Sequence, residues 1–143
     1  MKHNHIQTIM IITVFFSVIS AAQAADIAVI VNKGNSNAVG RSDIEKIYKG
    51  EMTMWAEGGS IVAMDLPEAA EDRAVFSTRV LGKSVSVVKA LWAVKLFSGK
   101  ATPPKVANSD TEVRNFVAGN RNAIGYINAS ALDDGVKAVL IVK

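Results

Sequence analysis

The chain has 143 residues, a formal net charge of +3 and no cysteine. That length suits one domain rather than two, and scattered Lys and Arg without interleaved aromatics argue against nucleic acid as a partner. Both histidines, His3 and His5, precede the apolar N-terminal run, so Ser–His and Cys–His nucleophilic sites and zinc sites of the usual Cys/His kind are excluded from the rest of the chain.

Residues 1–24 read as an export signal. A short basic start, Met1 to His5, is followed by the apolar run Ile6 to Ile19 and the small residues of Ala22-Gln23-Ala24, the three parts of a cleavable secretory signal. The run falls short of the roughly 20 residues of a membrane span, although an uncleaved N-terminal anchor is the competing reading. Cleavage leaves residues 25–143 as the mature domain, in the periplasm, with the formal charge lowered by the loss of Lys2.

Asp26 to Asn32 is almost wholly apolar inside and rich in β-branched residues, as in a strand buried on both faces. Lys33-Gly34-Asn35-Ser36-Asn37 is a turn-forming cluster. Ser42 and Glu45 have the spacing of a capping box for a helix ending near Gly50. Its apolar face carries Ile44, Ile47 and Tyr48. A connector holding Trp55 leads through Gly58-Gly59 to a second strand, Ser60 to Asp65.

Pro67 suits the first turn of a helix running to about Leu81. Ser84 can cap the next, Val85 to Phe97, whose apolar residues cover most of its circumference and predict a largely buried helix. Trp92 on that helix reads as core. After the break at Thr102-Pro103-Pro104, Ser109 and Glu112 form another capping box, with Val113, Phe116 and Val117 on one face. Ala123 to Ile127 is a third strand and Val136 to Val142 a fourth. Alternation of apolar strands with helices predicts an α/β domain with a mainly parallel sheet flanked by helices on both faces.

Several of these segments carry a resemblance. The strand ending in Asn32, the run Ser42-Asp43-Ile44-Glu45-Lys46-Ile47-Tyr48-Lys49-Gly50 with Trp55 shortly after, and the later Ala123-Ile124-Gly125-Tyr126-Ile127 resemble the substrate-binding proteins of phosphate ABC transporters. The resemblance covers nearly all of residues 25–143 and implies one three-layer lobe, the second, of the type II periplasmic-binding-protein fold. Family members clamp ligand between two lobes, and this length accommodates one. Where the family has an Arg and a Gly-Ser-Gly-Thr loop at a helix start, this chain has Asp65-Leu66-Pro67-Glu68-Ala69-Ala70-Glu71-Asp72. A helix N-terminus suits an anion, but Glu68, Glu71 and Asp72 would occupy that end themselves. Unit charges 4 Å apart near a surface repel by about 4 kcal/mol, which argues against phosphate held in the family manner.

Candidate ligand residues are Lys33, Gly34, Asn35 and Ser36, a loop between a strand and a helix that could cradle an anion, together with Asp65 and Arg73. The competing readings are an ordinary turn and a surface ion pair. Glu68, Glu71 and Asp72 lack the alternating oxygen ligands of a calcium loop, so no metal and no cofactor is expected. The expected role is non-catalytic binding of a small anion or solute. The alternative is an accessory module docking on a membrane-bound sensor, transporter or surface structure, with a membrane-protein partner or a homodimer.

Overall fold

The computed structural model describes residues 26–143. The expected export signal, residues 1–24 with its Ala22-Gln23-Ala24 cleavage site, lies outside them. Strand β1 (Ile27–Asn32) is followed by α1 (Arg41–Tyr48), β2 (Val62–Asp65), α2 (Glu71–Arg79), α3 (Val85–Phe97), β3 (Lys105–Val106), α4 (Asp110–Gly119), β4 (Ala123–Asn128), a 3-10 turn (Ala129–Ala131) and β5 (Val136–Val142).

These strands form one sheet in the order β3-β2-β4-β1-β5. β2 pairs parallel with β3 and β4, whereas β1 pairs antiparallel with both β4 and β5. Four strands therefore share a direction and β1 alone is reversed. Strand–helix alternation agrees with the common direction of β2 and β4. It does not show that the first strand threads between the last two. β1 and β4 are the fully covered centre: Ile27 to Val31 and Ala123, Ile124, Tyr126 and Ile127 are wholly buried. Burying one Val or Ile side chain is worth about 1.5–3 kcal/mol, so this pair anchors the domain.

Successive residues of β4 show the three layers. Gly125 faces α4 so closely that an added Cβ would lie 2.5 Å from Val113 Cγ1. Tyr126, on the opposite face, stacks on Phe76 of α2 with centroids 3.9 Å apart and planes 5° from parallel. Tyr48 of α1 meets both rings edge-on. The two tryptophans are core, Trp92 as expected: Trp55 Nε1 donates to Asn122 O at 3.1 Å and Trp92 Nε1 to Tyr48 O at 3.0 Å.

The helix ends depart from expectation in two places. α1 starts one residue before Ser42. Gly40 is its N-cap, and Asp43 rather than Glu45 accepts the cap's backbone N–H, at 2.9 Å. Pro67 is not in the first turn of α2. Ala70 N donates to Pro67 O at 2.9 Å, closing a separate turn, and the first helical bond is Ala74 N to Ala70 O. Ser84 and Ser109 cap α3 and α4 as expected, accepting from Val87 N and Glu112 N, each at 3.2 Å.

Helix α3 is the main correction. It was expected to be largely buried, yet only Val88 and Trp92 are buried on it. Val87, Val94, Leu96 and Phe97 are exposed, Phe97 to 97%. The helix packs on α2 and over the Gly50 turn along one side, and among the described residues no layer covers its other side.

Candidate functional site

The sheet directions decide where a site can form. Asp65, Val106 and Asn128 end three strands that point the same way, and reversed β1 begins at that edge, with Ile27 opposite Asn128. The helices that follow β2 and β3 start there too. Ligands in open α/β sheets sit outside the carboxyl ends of strands. Here that edge holds an open groove of about 460 Å³, walled by Leu66, Pro67 and Ala70 on one side and Asn108 and Ser109 on the other.

Three side chains meet across the groove. Asp72 stands in the first turn of α2, Asp110 opens α4, and Asn128 ends β4. Asn128 backbone N–H donates to Asp110 Oδ2 at 3.2 Å, while its side-chain amide reaches Asp72 Oδ1 at 3.5 Å. The Oδ1 of Asn128 accepts from Ser130 N at 3.0 Å and from Ser130 Oγ at 2.7 Å. That pairing turns the amide NH₂ toward the groove. Both helix N-termini, positive ends of their dipoles, are thus faced by the protein's own carboxylates. Burial, and then the neighbouring charge of Asp72, hold the Asp110 carboxyl above its ordinary range, against the opposing pull of the Asn128 N–H.

Behind the groove, Asp65 and Arg73 are spent on each other. Asp65 Oδ1 accepts from Leu66 N at 2.8 Å and from the Tyr126 hydroxyl. Asp65 Oδ2 lies 3.4 Å from Arg73 Nη2, with side chains only 13% and 11% exposed. Arg73 Nη1 donates to Leu66 O at 3.1 Å. Burial, reinforced by the Asp65 charge, raises the Tyr126 hydroxyl far above its ordinary pKa, so it remains a donor. This network fixes the strand end from which the groove wall departs. Asp65 and Arg73, expected as ligand residues, stand in that supporting network and do not line the groove.

Lys33, Gly34, Asn35 and Ser36 lie at the opposite edge of the sheet, because β1 runs against its neighbours. They cannot share a ligand with Asp65 and Arg73. Most of the turn's polar groups pair within it, although the buried Asn35 Nδ2 has no partner among the described residues. Gly34 N donates to Asn32 Oδ1 at 2.8 Å, Asn37 N and Nδ2 donate to buried Asn35 Oδ1 at 2.9 and 2.8 Å, and Ser36 Oγ donates to Glu57. Asn35 O accepts from Lys137 Nζ. Two of the amides expected to cradle an anion, Gly34 N and Asn35 N, are engaged by Asn32 Oδ1 and Asn32 O, and the Glu57 carboxylate stands alongside.

Asp110 and Asn128 were not singled out from the sequence. A signal existed, since one follows a capping Ser and the other ends a buried strand, but their meeting requires knowing which strand ends share an edge. Glu68, expected at the helix start, points away. It is exposed, paired with Lys89 at 2.9 Å, and that bond lowers its pKa.

No protein-family model matches the sequence, and no curated protein matches it. Solved structures do. An ABC-type phosphate transport receptor from Vibrio cholerae superposes on 81% of this chain and 46% of its own, at 23% identity and a TM-score of 0.63. A phosphate ABC transporter substrate-binding protein from Clostridium perfringens, solved with phosphate bound, superposes on 81% of this chain and 45% of its own, at 29% identity and a TM-score of 0.63. PstS from Borrelia burgdorferi gives 13% identity and a TM-score of 0.56 over 80% of this chain and 47% of its own. The fold is that of one lobe of a phosphate-type substrate-binding protein. The chain spans slightly under half the length of these relatives. In the lobe, the segment Asp65 to Asp72, where the sequence leaves the family's hydroxyl-rich pattern, forms the turn and helix start along one wall of the groove.

Proposed function

We propose that this chain is the non-catalytic binding lobe of an exported solute receptor, released into the periplasm as residues 25–143, and that its groove takes a hydrogen-bond-donating solute in preference to phosphate. The observation that carries the reading is the Asp72–Asn128–Asp110 bridge across the two helix starts. A phosphate dianion placed there would meet two carboxyl groups where free helix amides would otherwise attract it. A neutral polyol or an amine-bearing solute would instead find acceptors in Asp72 and Asp110. The location in the fold, at the strand ends, supports a binding role, and the fold likeness to transport receptors supports a non-catalytic one. The cover over the open groove would come from a second lobe or a second copy.

Thermal-shift and calorimetric titration of the mature protein with phosphate, sulfate, polyols and small amines tests this. Millimolar phosphate and sulfate should leave the melting temperature unchanged, and a member of the donor-rich set should raise it. Micromolar phosphate affinity would overturn the solute preference. Silence toward every class would remove solute binding altogether. N-terminal sequencing of the secreted protein should begin at Ala25. An accessory role on a membrane-bound partner is the second reading, and the exposed apolar side of α3, none of whose residues line the groove, favours it.

A further inference from the structure

We infer that the outer face of α3 is a docking surface for an anionic lipid bilayer, which deepens the accessory reading without depending on the groove. The face is apolar and uncovered. Val87, Val94 and Phe97 recur at i, i+7 and i+10, so they form one stripe along the helix. Their exposures are 49%, 70% and 97%, while Leu96, 58% exposed, lies on another side of the helix. Core demand does not explain these residues, since Val88 and Trp92, with Leu91 partly buried beside them, pack the helix on the domain.

The charge around the face selects the occupant. Between Asp72 and Asp110 the sequence holds no Asp or Glu, while it holds Lys83, Lys89, Lys95, Lys100 and Lys105. Lys89 is engaged by Glu68 from outside that segment, Lys95 rests its stem on the Gly50 turn and Lys105 Nζ lies over the Phe116 ring, which leaves Lys83 and Lys100 at the two ends of the helix. Two copies meeting through α3 would bring two lysine-rich surfaces together, which like-charge repulsion disfavours. An apolar stripe flanked by ammonium groups matches a surface that is apolar below and anionic above. The shape agrees. Phe97 stands out at the C-terminal end of the helix, and a bilayer interface accepts a protruding aromatic without a preformed pocket. At 13 residues, α3 is about 20 Å long, too short to cross a hydrocarbon core of roughly 30 Å. It would lie in the interface, Phe97 and Val94 inward and Lys100 at headgroup level.

Co-sedimentation of the protein beginning at Ala25 with protein-free vesicles tests this. One set is phosphatidylcholine alone; the other mixes it equally with phosphatidylglycerol. Binding to the mixed vesicles only, reduced by high salt, is the expected result. Val94→Asp and Phe97→Asp alter exposed side chains, so folding should persist by circular dichroism while vesicle binding is lost. Each basic residue near an anionic surface strengthens partitioning about fivefold, so Lys100→Gln should weaken it by about that factor. The inference is overturned by no binding to the mixed vesicles, or by equal binding to both sets. Phe97-dependent dimerisation in sedimentation equilibrium would assign the face to a second copy instead. Binding only to native membranes, abolished by protease, would assign it to a membrane protein. Solute titrations read the groove independently, so either reading can fail without the other.

Discussion

Arg73 reaches back from the first turn of α2 to Asp65 at the end of β2, 3.4 Å away, and the pair is almost sealed from solvent. Removing one partner of a buried ion pair leaves the other charge stranded, at about 3–5 kcal/mol. Arg73→Ala should therefore unfold at markedly lower denaturant than wild type. Asp65→Asn/Arg73→Met, which removes both charges, should recover part of the loss. Chemical denaturation of the two variants checks this; equal stability of Arg73→Ala and wild type would refute the sealed-pair account.

Gly50 should be the least replaceable turn residue. Its φ of +73° lies in the left-handed region, and an added Cβ would lie 2.7 Å from Trp92 Cη2. Gly99 has a similar φ of +68° with nothing within 4 Å. Gly99→Ala should cost about 1–2 kcal/mol for the backbone alone. Gly50→Ala should cost more and also shift Trp92 fluorescence, because the ring must move. Comparable melting temperatures and unchanged emission would show that the Trp92 contact is not restrictive.

The close approach of α4 to the sheet depends on Gly125. Gly125→Ala should destabilise by about 1–3 kcal/mol, as overpacking does, since the new methyl meets Val113 Cγ1. Val113→Ala should relieve that clash. The double variant should then be more stable than the sum of the two single losses predicts. A double-mutant cycle on urea midpoints measures the coupling, and strict additivity would contradict the contact.

Asp110 gives the domain a pH signature. Its carboxyl titrates above the ordinary range when folded, so the folded state holds its proton more tightly than the unfolded chain does. The associated stability is present below the unfolded carboxylate pKa and is lost as pH rises through the folded value. Asp110→Asn should therefore stabilise the protein near neutral pH, with the gap to wild type closing as pH falls below the carboxylate range. Melting temperatures across acid to neutral pH follow this. A constant gap would mean that Asp110 does not titrate as its surroundings dictate.

Much of the fold was legible because burial writes itself into local pattern. The apolar run Ile27 to Val31 marks a central strand, and Ser84 and Ser109 mark helix starts. β3, with two residues and both exposed, carries too little pattern to be read. The start of α2 was misplaced because Pro67 suits a turn as well as a helix. α3 misled for a physical reason: apolar composition states what a helix can bury, not whether anything covers it.

The candidate site was legible only in part. Asp72 was noticed as one of a group of acids, but Asp110 and Asn128 come from elements 38 and 56 residues further along the chain. The loop at Lys33 to Ser36 looked well placed because a strand precedes it and a helix follows.

An α/β lobe, its buried strands, its capped helices and a carboxylate-bearing helix start can all be read from local pattern, since each rests on contacts among near neighbours. That β1 runs backwards between β4 and β5 emerges from the assembled sheet. That one reversal sends Lys33 to Ser36 to the far edge and leaves Asp72, Asp110 and Asn128 to share the groove. Strand direction is fixed by which distant strands exchange backbone hydrogen bonds, and no local run of residues encodes that choice.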